Sequence, residues 1–219
     1  MLDYAIGIVA HQRREEHAHN LAATVDAVHI GWDDDTTQLG AYINHCNVWE
    51  RLAKHHTQWS VILEDDAIPT DGFQDQLHSA LMASPTPIVS LYLGRQFPIW
   101  AQDKIPPAIE KLQANNACYI IAPYLLHCVG VAIKTEHIPS LLTTHYQALP
   151  IDEHITRWAQ WRFEQPAVAY TWPSLVNHND ALPSVIGTHN DAIPRTPGRT
   201  AWHTGGRQQW TSDNVEMRP

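Results

Sequence analysis

Three consecutive carboxylates, Glu64-Asp65-Asp66, follow the apolar run Trp59-Ser60-Val61-Ile62-Leu63. A continuous run of this kind reads as a parallel-sheet strand buried on both faces. Ligands of open α/β sheets bind beyond the carboxyl ends of such strands. Adjacent negative charges there are costly unless a cation is held beside them. The pattern therefore suits a Mg²⁺ or Mn²⁺ site with a phosphate-bearing substrate behind it. An acidic turn that starts a helix is the structural alternative, since Asp is a good cap.

Three further groups could act with this turn. Asp33-Asp34-Asp35 also follows a strand-like segment, and an exposed acidic loop is its plain alternative. Asp152-Glu153 follows Leu149-Pro150. Acids there suit a helix start, while Asp152 also has the character of a general base. His178 ends Trp172-Pro173-Ser174-Leu175-Val176-Asn177-His178; a neutral imidazole can complete a metal shell begun by carboxylates, or serve structure alone. The chain contains no GxGxxG, Walker-type, GxSxG or HExxH motif. The usual signals for dinucleotide oxidoreductases, P-loop enzymes, α/β-hydrolases and zincins are thus missing.

The elements that must carry these groups alternate. Tyr4 to Ala10 predicts a buried strand and Glu15 to Thr24 a helix; Ala27 to Gly31 predicts a second strand. Leu39, Ile43, Cys46, Trp49 and Ala53 recur at spacings of three and four, which predicts a helix from Gln38 to about His55. A strand at Val61 to Leu63, a helix at Gly72 to Met82 and a strand at Ile88 to Gly94 extend the alternation. This implies an α/β fold with a mainly parallel sheet covered by helices on both faces. Arg95 to Ala114, with Pro98, Pro106 and Pro107, reads as a loop with a short helix. Cys118 to Ala122 and Val129 to Ile133 read as strands, Pro139 to Thr144 and Asp152 to Trp161 as helices. Past Trp172 the chain has no periodicity, so the expected division is a domain over residues 1–180 and an irregular extension, 181–219, packing on or near the site.

The 219 residues suffice for one domain with such an extension. A net charge of -9 argues against a general, charge-driven grip on nucleic acid. Of nine tryptophans some must be core, and exposed ones suit stacking on sugar rings or bases. Cys46, Cys118 and Cys128 have no zinc-like spacing and read as free thiols of a reducing compartment. With no leader-like segment and no apolar stretch of membrane length, a cytoplasmic location is expected.

Gln38-Leu39-Gly40-Ala41-Tyr42-Ile43-Asn44-His45-Cys46-Asn47-Val48-Trp49, then Val61 to Asp66, then Phe73, resembles glycosyltransferase family twenty-five, the lipooligosaccharide and collagen galactosyltransferase type. Members show a Gly-x-x-x-Ser-His-x-x-x-Trp helix before an apolar strand ending in Glu-Asp-Asp; here Asn44 stands in place of the Ser. Leu91 to Gly94 and Leu149 to Asp152 resemble later elements, and the tail is similar to those of small phage-encoded glycosyltransferases. The resemblance implies a GT-A, Rossmann-like fold that uses a nucleotide-sugar donor, such as a UDP-hexose, held by Mn²⁺ or Mg²⁺. It assigns Asp66, with Glu64 or Asp65, to metal and diphosphate, and His178 to the metal. It assigns Ala10, His11 and Arg13, with Asp33, Asp34 and Asp35, to base and ribose, and Asp152 to deprotonation of the acceptor in an inverting displacement. His45 and Trp49 are expected to support the site by packing.

The acceptor implied is a cell-envelope glycan or a hydroxymethylated pyrimidine in DNA. Arg195, Arg199, Arg207, Trp202 and Trp210 of the tail make a basic and aromatic mix suited to the second. A non-catalytic nucleotide or sugar-binding module and a metal-dependent phosphohydrolase are the competing classes.

Overall fold

β1 (Tyr4–His11) is buried from Ala5 to His11 and β3 (Trp59–Glu64) from Trp59 to Leu63, as expected of strands covered on both faces. The computed structural model describes residues 3–144, 149–185 and 198–217. In it β1 pairs in parallel with β2 (His29–Asp33) on one side and with β3 on the other. The connections run through α1 (Glu15–Thr24) and α2 (Gln38–Ala53). Chain order therefore reverses at β1, which makes the carboxyl ends of β1, β2 and β3 a topological switch point.

The remaining strands are β4 (Ala67–Pro69), β5 (Ile88–Ser90), β6 (Tyr119–Ala122), β7 (Gly130–Lys134), β8 (Val168–Thr171), β9 (Val176–His178) and β10 (Asn214–Glu216). The central sheet has the order β10-β6-β8-β5-β7-β3-β1-β2, and β4 pairs with β9 apart from it. The result is a mixed, mainly parallel α/β sheet of Rossmann-like character. α3 (Phe73–Ala83) packs with α1 on one face, burying Ala18, Leu21, Leu77 and Leu81 against Ile6 and Ile8. α2 packs on the other face with α5 (Ile105–Ala114), α6 (Ile138–Thr143) and α7 (Ile151–Arg162), burying Val48, Trp49, Leu52, Ile155 and Trp158.

Three segments differ from the sequence expectation. The fourth strand stops at Ser90, whose Oγ donates to Tyr92 O at 2.9 Å and turns the chain out of the sheet. β5 does not neighbour β3 either, because β7 inserts antiparallel between them. The stretch expected to be a loop with one short helix forms two, α4 (Ile99–Gln102) and α5. Pro106 and Pro107 fall in the first turn of α5, where a missing N–H costs nothing. Finally, β10, from the stretch read as an irregular extension, adds the edge strand beside β6 in parallel.

Among the described residues no helix is long and apolar enough to cross a membrane. Cys46, Cys118 and Cys128 are free.

Candidate active site

The carboxyl ends of β1, β2 and β3 open into a cleft of about 270 Å³. Asn44, on α2, holds two of these ends together: its Nδ2 donates to Ala10 O at 3.1 Å and to Gly31 O at 3.0 Å. Before α2, Asp33 Oδ1 accepts from Asp35 N, and Asp35 accepts from both the amide and the hydroxyl of Thr37. Thr37 then caps the helix by accepting from Gly40 N. A side chain at Gly40 would press into this turn, since a Cβ would lie 2.5 Å from Asp35 Cβ and 2.8 Å from Asp33 Oδ2.

At the end of β3 the acidic turn meets a counter-charge from the turn after β1. Arg14 Nη1 lies 2.7 Å from Asp65 Oδ1 and 2.7 Å from Asp66 Oδ2, and Nη2 donates to Pro183 O. His11 N donates to the other oxygen of Asp65 at 2.8 Å. Burial nevertheless outweighs these partners at Asp65 and raises its carboxyl above the ordinary range. Burial also acts on Asp66, but His178 and Arg14 outweigh it and hold that group low. His178 Nε2 is 3.5 Å from Asp66 Oδ2, and its Nδ1 faces Asp180 Oδ1 at 3.7 Å. Arg199 Nε bonds the same Asp180 oxygen at 3.0 Å.

The cleft is also lined by Asp152, at the start of α7. Burial first, and then the charge of Glu64, push its carboxyl up to about 6. Glu64 is engaged from behind by His45, whose Nε2 is 3.3 Å from Glu64 Oε1. His45 therefore does more than pack, whereas Trp49 is wholly buried. Beside them, His127 Nε2 donates to Phe97 O at 2.7 Å, and burial pushes this imidazole down to about 4.

Ala10, His11, Asp33, Asp35, Glu64, Asp65, Asp66, Asp152 and His178 thus line one cleft. Arg13 and Asp34 are exposed and outside its lining. Arg14, and not Arg13, faces the cleft, because successive residues of the three-residue 3-10 turn Gln12–Arg14 point about 120° apart. The sequence also carried no signal for His127, and it offered Tyr92 only as part of a strand-like element; both come from segments joined to the site by tertiary packing.

Asp66 and His178 are the pair suited to a divalent cation. Asp66 Oδ1 is buried with no hydrogen-bond partner. Mg²⁺-type ions need only one or two protein carboxylates, the remaining ligands being water and substrate phosphate. Among the described residues there is no cluster of three His, Cys, Asp or Glu side chains able to hold a metal by itself.

The tail's basic and aromatic residues are engaged in the fold. Arg207 donates to Ala117 O, Trp172 O, Asn116 O and Asn116 Oδ1. Trp210 Nε1 donates to Gln76 Oε1, and Trp202 lies under the Arg95 guanidinium at 4.9 Å. Arg195 lies outside the described residues.

No family model matches the sequence. The chain is similar to a Bos taurus protein named probable inactive glycosyltransferase 25 family member 3, at 22% identity over 185 residues. That match covers 83% of this chain but only 28% of the length of the curated relative. Among solved structures, it is similar to a protein from STIV with a TM-score of 0.47, at 10% identity over 87% of this chain and 98% of that one. It is also similar to a glycosyltransferase involved in the glycosylation of the major capsid of PBCV-1. There the TM-score is 0.37, at 9% identity over 76% of this chain and 81% of that one.

Proposed function

We propose that this chain is a GT-A glycosyltransferase that moves a hexose from a nucleotide sugar, taken as a UDP-hexose, to an acceptor hydroxyl. The observation that carries the reading is one cleft at the switch point lined both by Asp66 and His178, 3.5 Å apart, and by Asp152 with its raised carboxyl. The weak similarity to the family twenty-five protein agrees with it.

The donor's base and ribose lie along the ends of β1 and β2, near His11, Asp33 and Asp35, with the diphosphate toward the end of β3. Asp66 and His178 are the residues that would hold Mn²⁺ or Mg²⁺. When bound, the ion offsets the charge that grows on the departing diphosphate. Arg14 orients both aspartates. In an inverting displacement the acceptor oxygen bonds to the anomeric carbon as the bond to phosphate breaks. Asp152 takes the hydroxyl proton, and a pKa near 6 suits a base working near neutrality.

One observation favours a second reading, a non-catalytic nucleotide-sugar binder: Arg14 by itself balances much of the charge of Asp65 and Asp66. A single assay separates the two. The purified chain is given UDP-hexoses with and without Mn²⁺, and both binding and UDP release are measured. Cation-dependent UDP release that Asp66→Asn abolishes supports the transferase. Binding without release supports the second reading, and absence of both removes the nucleotide sugar altogether.

A further inference from the structure

Three tryptophans are exposed: Trp32, Trp100 and Trp161. Trp100 has exposed apolar neighbours in its own segment, Phe97 at 58% and Ile99 at 80% exposure, with Trp100 itself at 53%. Contiguous apolar groups held open to water mark a binding surface more often than isolated ones do.

The segment is anchored rather than loose. His127 Nε2 and Gln102 Nε2 both donate to Phe97 O, at 2.7 and 3.1 Å, and Arg95 N donates to Thr200 O at 2.9 Å. The Trp100 ring stands edge-on to Tyr124, with centroids 4.8 Å apart and planes at 81°. Lys104 Nζ lies over the Trp100 ring, 5.3 Å from its centroid, a cationic donor at the ring face. Rings fixed before a ligand arrives lose little freedom on binding.

The patch is continuous with the cleft. Phe97 contacts His127, with ring centroids 6.4 Å apart, and His127 lines the cleft against Tyr92. His127 is followed by Cys128, another cleft residue, where the charges of Asp152 and Glu64 are felt.

The chemistry of the surface selects the occupant. A pyranose offers an apolar C–H face and a rim of hydroxyls, matching an exposed aromatic ring that carries one hydrogen-bond donor, Lys104. A nucleic-acid backbone needs several free cations. Here Arg95 is held by Trp202, donating to its carbonyl at 2.7 Å and lying over its ring, which leaves Lys104 as the segment's other basic residue. The chain as a whole carries -9.

Building on the transferase reading above, we propose that Phe97 and Trp100 form a saccharide-binding platform at the cleft mouth, on which an acceptor glycan stacks before its hydroxyl reaches Asp152. The acceptor is then a glycan and not a DNA base.

The test is capture of the full chain on a glycan array that also carries single-stranded and duplex oligonucleotides, with binding of a panel of UDP-hexoses measured in parallel. Wild-type protein and Trp161→Ala should be captured by a subset of glycans. The double variant Phe97→Ala/Trp100→Ala should lose at least about tenfold in that affinity, the scale of removing a stacked ring, and keep its UDP-hexose affinity and circular dichroism spectrum. No glycan capture by wild type, capture kept by the double variant, or capture by oligonucleotides alone would each overturn the platform. Platform-dependent glycan capture without binding of any UDP-hexose of the panel would instead keep the platform and sink the transferase reading.

Discussion

Arg14 Nη1 lies 2.7 Å from Asp66 Oδ2, so the densest negative charge in the sequence is met by a guanidinium from the turn after β1. Asp65 shares the same nitrogen, and all three side chains are largely buried. Removing one partner of a buried ion pair leaves a charge without compensation. Arg14→Met should therefore lower stability by about 3–5 kcal/mol in chemical denaturation, and saturating Mg²⁺ should recover part of the loss by taking over Asp66. A variant as stable as the parent would remove Arg14 from this role.

For the proposed transfer with Asp152 as base, the raised carboxyl predicts a pH limb with a definite sign. A base works only when ionised, so kcat/KM should be low below pH 6 and climb to a plateau as pH rises through about 6. Asp152→Asn should cut kcat by roughly 10²–10⁴-fold and flatten that limb, with donor affinity retained. A pH profile unchanged in the variant would move the base elsewhere.

Asn44 ties the ends of β1 and β2 through two carbonyls. Asn44→Leu keeps the volume but leaves both acceptors buried without their donor, a loss of about 1–3 kcal/mol. Because the tied ends line the cleft, UDP affinity should weaken along with the thermal midpoint. A fall in the midpoint alone would make Asn44 structural and nothing more.

Arg207 separates a nucleic-acid-binding tail from a structural one. With its guanidinium bonded to Ala117, Asn116 and Trp172, Arg207→Ala should reduce stability by about 1.5–3 kcal/mol. It should leave any DNA retention, and its salt dependence, as in the parent chain. A selective loss of salt-sensitive DNA binding with no change in melting would reverse this assignment.

Sequence alone determined the half of the fold that reads locally. The helix over Glu15–Thr24 and the strand ending at Glu64 follow from apolar runs and three-to-four spacing, and the βα alternation places their acidic ends on one edge. Asp33, Asp35, Glu64, Asp65 and Asp66 were legible for that reason. Asp152 and His178 were legible as isolated candidates, without any sign that they share a cleft.

Tertiary structure decided everything that depends on rotation or on long-range pairing. Arg14 rather than Arg13 meets the acids because a tight turn sets which of two adjacent side chains faces inward. β7 enters antiparallel between β3 and β5, and β10 closes the far edge, because strand partners are chosen by burial and backbone hydrogen bonds over the whole sheet. His45 finds Glu64, and Phe97 finds His127, only after α2 and the loop before α4 have packed. Periodicity along the chain records which face of an element is buried; which element it is buried against is a property of the assembled sheet.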